Sequence, residues 1–238
     1  MWRMFKKEDD KMSRGKLIVI EGTDCSGKET QSNMLLERLK KDGLKLEKKS
    51  FPMYDTPTGY VLGACLLGKP HMGECIFPEG TTNVPPKVAA LYYAADRLYN
   101  IETINKLLDD GVTVILDRYV ESNMGHQAGK FEDKKDKIEM MDWLEKLEFD
   151  LLELPKPDMV LFLYMPYQYT IELRNKRKEA ADGAEKDVEH LKNAERTYSL
   201  MAEKYNYDII QCVKNDKVRT IEEIHEDIYD IVKEKLEI

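Results

Sequence analysis

Arginine is scarce in this chain of 238 residues, with nine positions against 28 lysines. Arg is the side chain suited to forked recognition of phosphate, so the places where those few fall carry more than the net charge of −8. That acidic balance excludes a general electrostatic grip on nucleic acid. Long apolar runs are missing too. None approaches the roughly 20 residues a membrane helix needs, and the longest, such as Met159–Met165, are strand-sized. No membrane partner is expected. The four cysteines, at 25, 65, 75 and 212, form no CxxC pair and no dense framework. This excludes a disulfide-stapled scaffold and fits a reducing, cytoplasmic setting. Residues 1–14 carry charges of both signs without an apolar core, and read as a flexible tail rather than a secretory signal.

What remains is an ordinary globular composition, 42% hydrophobic and 34% charged, too apolar for disorder. There is no internal repeat and no low-complexity linker. Strand-length apolar runs at Lys16–Glu21, Leu44–Phe51, Val112–Leu116, Asp158–Tyr164 and Asp208–Val213 alternate with helical patterns. Those patterns cover about 27–42, 87–109, 134–149, 167–181, 187–205 and 220–235. Near-continuous Val, Ile and Leu mark strands buried on both faces, and the alternation predicts an α/β fold around a parallel sheet of about five strands. The tract Gly68–Pro86, 19 residues with four Pro and three Gly, reads as a long loop or local insertion. His71 and Cys75 within it are too few to make a metal site.

The strongest local signal is KLIVIEGTDCSGKETQ, residues 16–31. A buried strand runs into Gly22-x-x-x-x-Gly27-Lys28 and then into a helical pattern, the context a phosphate-binding loop requires. Backbone N–H groups of Gly22, Thr23, Asp24, Cys25, Ser26 and Gly27 would line an anion nest at a helix start. Lys28 supplies a mobile cation for the β- and γ-phosphates. The position after the lysine usually carries Ser or Thr, whose hydroxyl holds Mg²⁺. Here it is Glu29, followed by Thr30. Glu29 is open to two readings, a Mg²⁺ ligand or an acid favoured by the helix dipole.

A second group of motifs points to an acceptor. Val112–Leu116 ends in Asp117-Arg118-Tyr119, with Asn123, His126 and Gln127 close behind. Ligands of parallel sheets bind at the carboxyl ends of strands. Asp117 there suits a Mg²⁺ shell and Arg118 a phosphate, the alternative being a buried strand-end ion pair. Phe51-Pro52-Met53-Tyr54 closes the second strand. Tyr93 and Arg97 share one helix face in LYYAADR, as a base-stacking pair or as a structural cation–π pair. Arg174 and Arg177, followed by Gly183 and Asp187, read as a mobile lid over about 174–187 that brings cations onto a transferring phosphate.

Taken together, EGTDCSGKETQ, FPMY, LYYAADR, DRYVESN with HQAG, LPKPDMVLFLY, the Arg-bearing segment and DVEHLKNAERTYSLMAEKYN resemble the thymidylate kinase family of nucleoside monophosphate kinases. They stand in the family's order from Lys16 to Tyr207. The resemblance implies a three-layer P-loop kinase fold with a lid, a single kinase domain over 15–238, and a homodimer. It implies phosphoryl transfer from ATP with Mg²⁺ to thymidine monophosphate (dTMP), giving dTDP for dTTP synthesis. Residue by residue, it implies that Asp24 contacts the sugar 3′-hydroxyl, Tyr93 stacks on the base and Arg97 reaches a base oxygen. Arg118 grips the acceptor phosphate and Asn123 reads the base edge, with Phe51 and Gln127 lining the site. His126 stands where the family usually has a tyrosine near the sugar's 2′ side. FPMY lacks the Arg often found after FP, which leaves Tyr54 as the phosphate contact. Cys25 stands where some members carry a catalytic Arg, so Arg174 and Arg177 are expected to supply that charge. The rival readings are a kinase of another monophosphate, a nucleoside kinase using Glu21 as base, and a P-loop protein that binds nucleotide without transfer.

Overall fold

The computed structural model describes residues 13–176 and 187–236. Strand β1 (Leu17–Gly22) leads through the loop Thr23–Gly27 into α1 (Lys28–Lys41), and β2 (Leu46–Ser50) follows. A short helix α2 (Pro57–Val61) widens into a π-type turn, Leu62–Leu66. After it come α3 (Pro86–Asp109), β3 (Thr113–Asp117), α4 (Val120–Ala128) and α5 (Lys134–Glu145). The chain continues with β4 (Met159–Tyr164), α6 (Tyr167–Lys176), α7 (Val188–Tyr205), β5 (Asp208–Gln211), a small hairpin at Val213–Val218 and α8 (Ile221–Leu236). The five strands form one parallel sheet in the order β2-β3-β1-β4-β5.

Side chains on a strand alternate between faces, and β1 shows what that does here. Ile18 and Ile20 point into a core closed by Leu35 and Leu39 of α1 and by Ile224, Ile228 and Val232 of α8. Leu17 and Val19 point into the opposite core, with Ile104 and Leu108 of α3, Met124 of α4, Met140 and Leu144 of α5, and Tyr198 and Met201 of α7. The result is three layers, helices on both faces of the sheet, as expected from the sequence. The edge strand β2 reads LEKKS, and its Lys48 donates to Asn33 of α1 at 2.7 Å. Charges on an edge strand discourage pairing with another chain.

The expected strands all form: β1 and β3 lie one residue later than expected, and β2, β4 and β5 are trimmed by a residue or two at an end. Two local features differ from the pattern. The helix expected to run to Phe149 is regular only to Glu145, and Lys146–Leu151 form a wide turn that buries Glu148 completely. Val120–Ala128, read only as a motif, is a helix. Gly125 in it lets α7 approach, because a Cβ there would lie 2.5 Å from the Tyr198 ring. Gly68–Pro86 is turn-rich, as expected, with a single helical turn at Thr81–Asn83.

Candidate active site

The loop between β1 and α1 begins where the sheet is most buried. Gly27 caps α1 with φ of 88°, a left-handed angle that favours glycine, and Cys25 adopts φ of 60°. Lys28, at the start of α1, folds back over the loop. Its Nζ donates to the carbonyls of Gly22 and Thr23, both at 2.8 Å. Thr23 Oγ1 donates to Met165 O at 2.8 Å, which ties the loop to the end of β4. Ser26 is buried and its hydroxyl has no partner among the described residues. A buried orphan hydroxyl beside a folded-back lysine fits a polyanionic ligand that would engage both.

Arg118 follows β3, the neighbour of β1, at φ of 68°. Its Nη2 donates to Asp24 Oδ1 at 2.8 Å and its Nη1 to Ser122 Oγ at 3.4 Å. Burial pushes the Asp24 carboxyl up, but Arg118, Lys28 and His126 outweigh it and hold that carboxyl well below the usual carboxylate range. Burial and the nearby Arg118 lower the Lys28 ammonium against the pull of Asp24, Glu21 and Asp117. Glu21 lies beneath this cluster. It accepts from its neighbour Gly22 N at 3.0 Å, from Tyr198 Oη at 3.2 Å and from Ser122 Oγ at 2.5 Å.

A cleft opens beside Asp24. Thr23, Asp24, His126, Met165, Tyr167, Thr170, Leu191, Ala194, Glu195 and Tyr198 line it. Asp24 and His126, named from sequence, therefore share a wall with side chains of α7 that sequence did not single out. Burial pushes the His126 imidazole down to about 3, with His190, Arg118 and Lys28 adding and Asp24 opposing, so the ring is neutral near neutral pH.

The remaining acceptor candidates sit on α3 and α4 and in the segment after β2. Arg97 is buried and forms a two-pronged ion pair with Glu148, one prong being Nη2 to Oε1 at 2.7 Å. Asn123 Nδ2 donates to the same Glu148 oxygen at 2.9 Å and to Ala90 O at 3.1 Å, and its Oδ1 has no partner among the described residues. Gln127 is buried and its Oε1 likewise lacks one. Tyr93 packs against the small cluster Leu62, Leu66, Val84 and Ala89. Phe51 is buried with its ring 5.9 Å from that of Tyr119 and follows Ser50 at the end of β2. Lys69 Nζ sits 4.7 Å over the Tyr54 ring. Asp96 holds this corner together, accepting from Met53 N at 3.0 Å, Thr58 Oγ1 at 2.7 Å and Asn100 Nδ2 at 3.0 Å.

Asp117 is buried at the end of β3, whereas Glu29 is exposed on the first turn of α1. Among the described residues no group of three His, Cys, Asp or Glu side chains is ready to hold a cation. That donor set does not make a self-sufficient metal cage. It fits Mg²⁺ brought with a nucleotide, because Mg²⁺ characteristically takes one or two carboxylates together with substrate phosphates. Arg174 falls in α6 with its side chain outside the described set, and Arg177 lies outside the described residues.

A glycine-bounded loop after β1, set beside the Arg118–Asp24 pair at the carboxyl edge of a five-stranded parallel sheet, is the P-loop kinase fold. The thymidylate kinase family model matches residues 20–228, and the chain belongs to that family. It is 30% identical to thymidylate kinase of Plasmodium falciparum over 231 residues, covering 96% of this chain and 95% of that one. It is 31% identical to the human thymidylate kinase over 215 residues, 90% and 88% of the two chains. A solved thymidylate kinase from Candida albicans superposes with a TM-score of 0.69 at 26% identity, over 93% of this chain and 92% of that one. No helix among the described residues is long and apolar enough to cross a membrane.

Proposed function

We propose that the protein transfers the terminal phosphoryl group of ATP to the phosphate of dTMP, producing dTDP and ADP. The observation that carries this reading is the Arg118–Asp24 contact, which sets a forked cation and a sugar-binding carboxylate side by side next to the phosphate loop. The acceptor phosphate has a second pKa of about 6, so it is already a dianion near neutral pH and needs no base. The Glu21 carboxylate, which a nucleoside acceptor would require as base, has both oxygens engaged by Gly22, Ser122 and Tyr198. This favours a monophosphate acceptor over a nucleoside.

In this reading the amides of Gly22, Thr23, Asp24, Cys25, Ser26 and Gly27, with Lys28, Glu29 and Thr30 at the helix start, bind the ATP phosphates. Lys28 leaves the carbonyls of Gly22 and Thr23 for a phosphoryl oxygen. Arg118 holds the acceptor phosphate, joined by Arg174 and Arg177 from the lid. Asp24 binds the sugar and His126 stands beside it. Tyr93 stacks on thymine while Arg97, Asn123 and Gln127 face its edge, with Phe51 and Tyr54 at the strand end. Asp117 and Glu29 would hold the Mg²⁺, which neutralises phosphate charge. Catalysis is positioning and charge stabilisation. A panel of nucleosides and nucleoside monophosphates with ATP, read by ADP release, tests the reading.

We also infer a homodimer. On α3 the side chains of Val88, Leu91, Tyr92 and Tyr99 are exposed at helical spacing and form an apolar stripe. Light scattering of the wild type and of Leu91→Glu tests it, the expected result being a dimer that the charge dissociates.

A further inference from the structure

The first turn of α7 is fastened at two points. Its N-cap, Asp187, accepts the backbone N–H of His190 through Oδ1 at 3.0 Å. The other oxygen, Oδ2, accepts from Thr82 Oγ1 at 2.8 Å, and Thr82 belongs to the Gly68–Pro86 tract. The same tract is held to α4's end from below, where Lys130 Nζ donates to Val84 O at 2.7 Å. One turn into α7, His190 Nε2 lies 3.2 Å from His126 Nδ1, with the rings 16° from parallel. The His126 ring also meets Tyr198 edge-on, centroids 5.8 Å apart.

Two imidazole nitrogens in hydrogen-bond contact share one proton, so one ring donates and the other accepts. Whichever nitrogen carries it, each ring fixes the tautomer and rotation of the other. Burial pushes both imidazoles toward the neutral form. The contact therefore persists at neutral pH. The consequence falls on the pocket beside Asp24, one wall of which is His126. That pocket combines two carboxylates, Asp24 and Glu195, and two threonines with the apolar Met165, Leu191 and Ala194, and Glu195 is engaged by Tyr164 Oη and Tyr167 N. A pentose presents the matching pair of surfaces, hydroxyls on its edge and C–H groups on its face.

We propose that His190, backed by Asp187 and Thr82, is a positioning residue that holds the His126 imidazole against the pentose of the acceptor nucleotide. It gives the tip of the Gly68–Pro86 tract its task, as the brace that keeps the first turn of α7 in place. The inference rests on the dTMP reading above, and the experiment separates the two.

Steady-state kinetics of the wild type, His190→Ala, His190→Gln and Thr82→Val, with dTMP and ATP each varied in turn, test the role. Loss of one hydrogen-bonded support is expected to raise KM for dTMP about five- to tenfold in His190→Ala, with kcat and KM for ATP within about twofold. His190→Gln carries an amide where Nε2 was and is expected to return KM for dTMP to within about twofold of wild type. Thr82→Val, which does not touch the pocket, is expected to raise it about two- to threefold. Thermal midpoints are recorded for each variant. An unchanged KM for dTMP in folded His190→Ala, or equal rises in both KM values, overturns the positioning role and leaves only helix packing. Should His190→Ala not fold, Thr82→Val decides by the same criterion. Wild-type protein that does not turn over dTMP contradicts the acceptor reading itself. The role of His190 is then read from calorimetry of dTMP binding in wild type and His190→Ala, where equal affinities overturn it.

Discussion

Arg118 donates from Nη2 to Asp24 Oδ1 across 2.8 Å, joining the loop after β3 to the phosphate loop after β1. The two residues come from adjacent parallel strands, paired through Ile20 and Asp117. Sheet register therefore sets the two loops side by side. Each partner also makes the other's burial tolerable, since a buried charge without a counter-charge is costly.

Replacing Arg118 with Ala leaves the Asp24 carboxylate beside a weaker set of cations. The expected loss in kcat/KM for dTMP is about 10²–10³-fold, the range for removing one preorganised charge from a transition state. Arg118→Lys should recover little of it, because an ammonium cannot span Asp24 and a phosphate as a fork does. Steady-state kinetics with circular dichroism as a fold check measure both.

Arg174 and Arg177 are expected to act as partners over the transferring phosphoryl group. Each Ala variant alone should lose less than the ~10³–10⁵-fold typical of an arginine finger, because the neighbour substitutes. The double variant should lose at least 10²-fold in kcat. Near-normal turnover in the folded double variant removes the lid from the mechanism.

Glu121 gives a stability prediction with a definite sign. It is buried on α4 with Oε2 unpartnered, and burial, reinforced by Glu21 and Glu148, pushes its carboxyl up from 4.5 to about 8. A raised folded value means that stability is fully present below about 4.5 and is lost as pH rises towards 8. At about 1.4 kcal/mol per pKa unit, the loss is on the order of a few kcal/mol. Glu121→Gln should remove that loss, so its gain over wild type should be larger at about pH 8 than at about pH 5. Urea unfolding at the two pH values checks it, and equal gains would falsify the assignment.

The Arg97–Glu148 pair is buried on both sides, and Asn123 shares its acceptor. Breaking it from one side with Glu148→Ala strands a buried guanidinium and should cost about 3–5 kcal/mol. Replacing both, as Arg97→Met with Glu148→Leu, should recover much of that stability while weakening dTMP binding. Chemical denaturation and calorimetry on the two variants and the wild type separate the two effects.

Much of this was legible in the residues themselves. β1, β3 and β4 are buried on both faces and so read as unbroken apolar runs. The phosphate loop is contiguous from strand to helix, so Gly22, Gly27 and Lys28 announced it. Other parts were not legible. Glu148 sits in an acidic stretch, LEKLEFDLLE, where nothing separates the one buried carboxylate from its solvated neighbours. Its partner Arg97 is 51 residues away. His190 lies 64 residues from His126 and Tyr198 177 from Glu21, contacts that exist only once α7 packs on α4. The regular helix at 120–128 was hidden because its residues read as a motif, and Gly125 signals nothing until the Tyr198 ring lies against it.

ADP release on mixing the purified protein with MgATP and either dTMP or thymidine tests the central claim most directly. Turnover is expected with dTMP, with dTDP as product, and none above background with thymidine. Turnover of thymidine without dTMP, or ATP binding with no product from any monophosphate, would contradict it.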